Sequence, residues 1–70
     1  MEKFMFIVEF DTAFKKAVVN PENINEDGSI NWNFVDADIN MDLQERNIEI
    51  DQDLYYEEFD FAASEYEEMV

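Results

Sequence analysis

Histidine and cysteine are absent from this 70-residue chain, and glycine and proline occur once each. Without thiolates or imidazoles there is no disulfide scaffold, no zinc-type metal centre and no histidine-based triad. One Gly and one Pro leave little room for a linker, so residues 1–70 read as a single domain. Basic residues are scarce as well: four Lys plus Arg stand against nineteen Asp plus Glu, a formal charge of −15. Contact with a phosphate backbone is made with Lys and Arg, so direct nucleic-acid binding is not expected. No run approaches the ~18 apolar residues of a membrane span. Met1-Glu2-Lys3 precedes a short apolar run that Glu9 and Asp11 interrupt, without the cleavage site of a signal peptide. The expectation is a soluble, cytoplasmic, non-enzymatic protein with no cofactor and no resident metal.

What is abundant is aromatic and apolar. Hydrophobic residues make up 47% of the chain and aromatic ones 16%, with seven Phe, three Tyr and one Trp. Disordered acidic tails lack such residues, so this chain should fold. The charge is also uneven. In residues 1–20, Lys3, Lys15 and Lys16 balance Glu2, Glu9 and Asp11; the whole −15 belongs to residues 21–70, where Arg46 is the one basic residue. No internal repeat is visible.

Phe4, Phe6, Val8 and Phe10 alternate with Met5 and Ile7, which predicts a covered, central strand over Lys3–Phe10. Asp11 or Thr12 can cap a short helix through Val19 with Phe14, Ala17 and Val18 facing inward, and Pro21 stops it. Asn25–Ser29 reads as a turn with Gly28 at positive φ. Ile30, Trp32 and Phe34 share one parity; Val35, Ala37, Ile39, Met41 and Leu43 share the other. That slip predicts a β-bulge or two strands. Residues 44–47 turn the chain into a short partner strand at Ile48 and Ile50. From Asp53, the residues Tyr55, Phe59, Ala62, Tyr66 and Met69 form one helical stripe. The expected fold is α+β: a small antiparallel sheet of three to four strands, a short helix after strand 1 and a C-terminal acidic amphipathic helix.

On such a sheet Asp36, Asp38, Asn40 and Asp42 share the face opposite the apolar residues, about 6.6–6.8 Å apart. Glu49, Asp51 and Asp53 repeat the spacing on the partner strand. Phosphates of one DNA strand lie about 7 Å apart through space, their axial rise being ~3.4 Å. Two carboxylate rows without cations therefore imitate a duplex backbone, although a solvated sheet face with gatekeeping charges would use the same residue types. Glu57, Glu58, Asp60, Glu65, Glu67 and Glu68 cover the outer side of the C-terminal helix. Glu67 and Glu68 oppose its macrodipole, and Glu57/Asp60 and Glu65/Glu68 are like-charge i, i+3 pairs. Local rules broken without compensation mark function, unless charge serves solubility alone.

Two fragments look like calcium loops. Residues 23–30 offer oxygens at Asn23, Asn25 and Asp27 with Gly28 following, but Phe34 stands where the bidentate Glu belongs. Residues 36–43 offer Asp36, Asp38, Asn40 and Asp42, but Met41 replaces the glycine and Asn47 the terminal Glu. A turn and a strand face account for the same residues. Carboxylate pairs for acid/base work need a substrate cleft that a chain this small lacks room for, and Trp32 and the tyrosines read as core or partner contacts.

In size, charge and aromatic-rich composition the chain resembles the small acidic proteins with which bacteriophages imitate DNA. The resemblance is to the class, with no specific motif, and implies a basic DNA-binding protein of the host or of a defence system as partner. The candidate partner-binding surface comprises Asp36, Asp38, Asp42, Glu49, Asp51, Asp53, Glu57, Glu58, Asp60, Glu65, Glu67 and Glu68. Neutralising Asp36, Asp38 and Asp42 should then abolish binding, and a homodimer would lengthen the charged face. The competing expectation is an adaptor or antitoxin-like module that binds through exposed Tyr55, Tyr56 and Phe61.

Overall fold

The computed structural model describes residues 2–69, and of Met69, the last residue of the expected stripe, its place in a helix alone. The described residues form three α-helices and no sheet: α1 (Lys3–Val18), α2 (Trp32–Glu45) and α3 (Gln52–Met69). A 3-10 turn at Pro21–Asn23 and an isolated bridge between Ile24 and Ile30 lie in the α1–α2 connection. The α+β expectation is therefore wrong.

The strand expected over Lys3–Phe10 is the first half of α1. Phe6, Phe10, Ala13, Phe14, Ala17 and Val18 are buried, the i, i+4, i+7, i+8, i+11, i+12 series of a helix. Phe4 and Val8, which completed the alternation, are exposed. The long strand after Ile30 is α2, burying Val35, Ile39 and Leu43 at steps of four and leaving Phe34 and Met41 outside. The parity change at Phe34-Val35 is thus no bulge; it is two neighbours on different sides of a helix. Strand propensity of Phe, Val and Ile is weak beside the packing available to a helix with an apolar stripe.

Caps fix the boundaries. Asn31 accepts from the Phe34 N–H at 3.2 Å, and Asp51 from the Leu54 N–H at 3.2 Å, each the N-cap to third-residue bond of a helix start. At the end of α2, Asn47 takes φ 59°, its N–H bonds the Gln44 carbonyl at 3.0 Å, and the Ile48 N–H bonds the Leu43 carbonyl at 2.9 Å. This C-terminal motif puts Ile48 under the helix end as a buried plug, where a partner strand was expected. Gly28 has φ 90°, as the 25–29 turn requires.

Helix α1 runs between the other two. Trp32, at the start of α2, stacks on Phe14, while Arg46, beyond its end, reaches Glu9, so α2 is antiparallel to α1. Tyr55 meets Phe10 edge-on and Phe59 meets Phe14 edge-on, so α3 runs parallel to α1. The bundle is up-down-up, with Phe14 touching rings from both other helices. No helix among the described residues is long and apolar enough to cross a membrane.

Candidate functional site

The twelve candidate carboxylates divide by what they touch. Those of α2 work inside the fold. Tyr55 donates its hydroxyl proton to Asp36 Oδ1 and accepts from Asn40 Nδ2 at 3.0 Å, tying α3 to α2. Asp38 Oδ2 accepts from Asn23 Nδ2 at 2.7 Å and from Asn20 Nδ2 at 3.3 Å, so it pins the α1–α2 connection. Asn23, only 3% exposed, also donates to the Ala17 carbonyl at 3.0 Å. Asp42 accepts from Arg46 Nε at 3.0 Å, and Arg46 bridges onward to Glu9 of α1.

The row expected on one strand face is consequently dispersed. On a helix, neighbours two apart point about 200° from each other, so Asp36 and Asp38 flank opposite sides of the Val35–Ile39–Leu43 stripe. Substituting these residues tests folding before binding. Asp38→Ala should leave the buried Asn23 amide short of its charged partner and cost about 1–3 kcal/mol, measurable by urea denaturation.

The remaining candidates lie in the α2–α3 link and on α3. Asp51 is spent on its cap, and Glu67 accepts from Trp32 Nε1 at 2.9 Å. Glu49, Asp53, Glu57, Glu58, Asp60, Glu65 and Glu68 have no side-chain hydrogen bond or ion pair among the described residues. All but the half-buried Glu58 are exposed. Of the four basic residues, Arg46 is taken by Glu9 and Asp42, and Lys15 pairs with Asp11 at 2.9 Å. Lys3 borders a hollow of about 580 Å3 with Glu49, Asp51, Asp53 and Glu57 over an apolar floor of Phe6, Ile50 and Leu54. The α3 surface thus carries a dense, largely uncompensated negative charge.

The two calcium-like fragments sit in other settings than strands. Asp27 accepts from the Ser29 hydroxyl at 2.6 Å and its N–H at 2.9 Å; these bonds hold its carboxyl below the usual range. Asn23 turns inward, and residues 36–43 wind around α2. Among the described residues, no group of three or more acidic side chains could hold a metal ion.

The aromatics also sort differently. Tyr55 is 2% exposed and belongs to the core, so it cannot join a docking patch. Burial, reinforced by Asp36 beside it, pushes its phenol well above its ordinary value of 10.0. A raised folded-state value stabilises the fold fully below the unfolded value, and that contribution is lost as pH climbs past about 10. Stability should then decline by about 1.4 kcal/mol per pH unit. Tyr55→Phe, compared with wild type in thermal melts from pH 8 to 11.5, should flatten that decline while lowering stability at pH 8. Tyr56 and Phe61 are exposed at 62% and 63%, but at five residues' separation they project about 140° apart around α3 and do not form one patch.

Sequence reasoning missed the groove between α1 and α3, a hollow of about 280 Å3 bordered by Ile7, Val8, Phe61 and Ala62, with Asp11, Glu58 and Glu65 on its rims. The signal for it was Phe61 off the apolar stripe of α3, next to two glutamates seven apart. Comparison with protein-family models, curated proteins and solved structures finds no match.

Proposed function

We propose that the chain is an acidic nucleic-acid mimic that occupies the basic DNA-binding surface of another protein and inhibits it by competing with DNA. One observation carries this: the carboxylates between Glu49 and Glu68 are mostly unpartnered, and no basic residue follows Arg46. Helix α3 alone bears Asp53, Glu57, Glu58, Asp60, Glu65, Glu67 and Glu68. Its 18 residues span about 27 Å at 1.5 Å each, roughly one carboxylate per 4 Å. One DNA strand carries a phosphate per ~3.4 Å of axis. A helix with nearly the linear charge density of a DNA strand takes the place of the two β rows.

The arrangement works against the stability of α3. Its last turn has no basic residue to match the helix dipole, and its like-charge i, i+3 pairs repel. Charge so placed raises a long-range negative potential that steers a basic partner and disfavours neutral ones. The resemblance to the small acidic proteins of bacteriophages supports a host or defence protein as the partner, met in the host cytoplasm.

The test is a quadruple variant, D53N/E57Q/D60N/E68Q, which removes four charges and no described side-chain bond. Capture of a basic protein from bacterial lysate at 100 mM NaCl should fall at least tenfold relative to wild type. Undiminished capture would overturn mimicry in favour of an adaptor in which charge serves solubility.

A further inference from the structure

In the α1–α3 groove, exposed apolar surface and unpartnered carboxylates meet. Ile7 and Val8 of α1 and Phe61 and Ala62 of α3 border its apolar trough, and Phe61 is 63% exposed. Glu58 and Glu65 flank Phe61 and Ala62 on the same side of α3, in the series i, i+3, i+4, i+7. The two carboxylates are thus about 10.5 Å apart along the helix axis. Phe4, also exposed, lies one turn before Val8 on α1 and lengthens the apolar strip.

We infer that this groove seats an amphipathic basic helix of the partner protein. Apolar side chains would fill the trough, with Lys or Arg seven residues apart over Glu58 and Glu65. This rests on the reading above that the partner is basic, and adds the form in which its basic surface is met. Charge complementarity selects the occupant. A second copy of this chain would bring another −15 onto acidic rims, and an anionic membrane or nucleic acid would be repelled likewise. A helix laid in an apolar groove gains affinity from buried side chains and register from the flanking charges.

The experiment is a fluorescence-anisotropy titration of the full chain at 50 mM NaCl with two labelled 15-residue peptides of identical Leu/Lys composition. One places Leu at i, i+3, i+7 and i+10 on a single helical face; the other permutes the same residues so that no face is apolar. The amphipathic peptide should bind at least tenfold tighter. Phe61→Ser and, independently, Val8→Ser should each remove fivefold or more of that affinity, with folding checked by circular dichroism. E58Q/E65Q should weaken it fivefold or more, while D53N/D60N, the same loss of charge at the same seven-residue spacing on the outer side of α3, should change it less than twofold. Equal binding of both peptides, or wild-type affinity in both serine variants, would overturn the groove. Mimicry is judged separately, by competition with duplex DNA. A dimer seen by sedimentation and dissolved by Phe61→Ser would overturn the proposal in favour of a second copy.

Discussion

Phe14→Ala should remove about 3–5 kcal/mol, a large part of the stability of so small a domain. The Phe14 ring stacks on Phe10 and Trp32 at centroid distances of 6.0 and 6.2 Å, and meets Phe59 and Tyr66 edge-on at 6.3 and 6.5 Å. It therefore joins all three helices, and no other ring in the bundle does so with as many neighbours. Truncating a buried Phe costs about 3–5 kcal/mol, from lost burial and the cavity left behind. A domain of this size has a total stability of about 4–10 kcal/mol at 0.05–0.15 kcal/mol per residue, and self-repulsion draws on it. Far-UV circular dichroism against urea should show the midpoint falling by a third or more. Phe34→Ala, at an exposed ring on α2, should change the stability by less than about 0.5 kcal/mol in the same assay.

The second large effect is a pair of opposite salt dependences. Raising NaCl from 50 to 500 mM shortens the Debye length from about 14 Å to about 4 Å, which screens the carboxylates of α3 from one another. The melting temperature should rise by several degrees. Target binding should move the other way. Proteins that neutralise 6–10 phosphates on DNA lose about 10³–10⁵ in affinity between 50 and 200 mM salt. A folded mimic has fewer condensed counterions to release, so a smaller loss, at least about tenfold, is expected here. Calorimetric melts and equilibrium binding over one salt series measure both slopes. A protein whose stability and binding both ignore salt would leave the charge without a role in either.

The C-terminal helix was legible in the sequence because Tyr55, Phe59, Ala62 and Tyr66, at steps of four, three and four, admit no alternating reading. The turn at 25–29 and the asymmetry of charge were legible for equally local reasons. The first and second helices were not. In Phe4–Phe10 nearly every residue is apolar, so period two and period 3.6 fit together, and only the continuation through Phe14, Ala17 and Val18 separates them. In Val35–Leu43 the helical stripe, steps of four, is half of an alternating series, and Ala37 and Met41 supply the misleading half. Local polar pairs carried the missing information. Asn31 to Phe34, Asp36 to Asn40 and Asp42 to Arg46 are spacings of three and four that a strand would not use.

The same misreading shaped the candidate site. A strand gives all even-numbered residues of 36–42 to solvent, whereas the helix gives Asp36, Asp38 and Asp42 internal partners. The charge left for an outside partner is concentrated on α3 and the link before it. The groove beside Phe61 was hidden because its other wall belongs to α1, fifty residues away in sequence.

The most direct measurement of the central claim is a pull-down from bacterial lysate with the immobilised chain, with and without excess duplex DNA. Mimicry predicts that a basic DNA-binding protein is recovered without the duplex and lost when it is present. Recovery of the same protein in equal yield with and without DNA would contradict it.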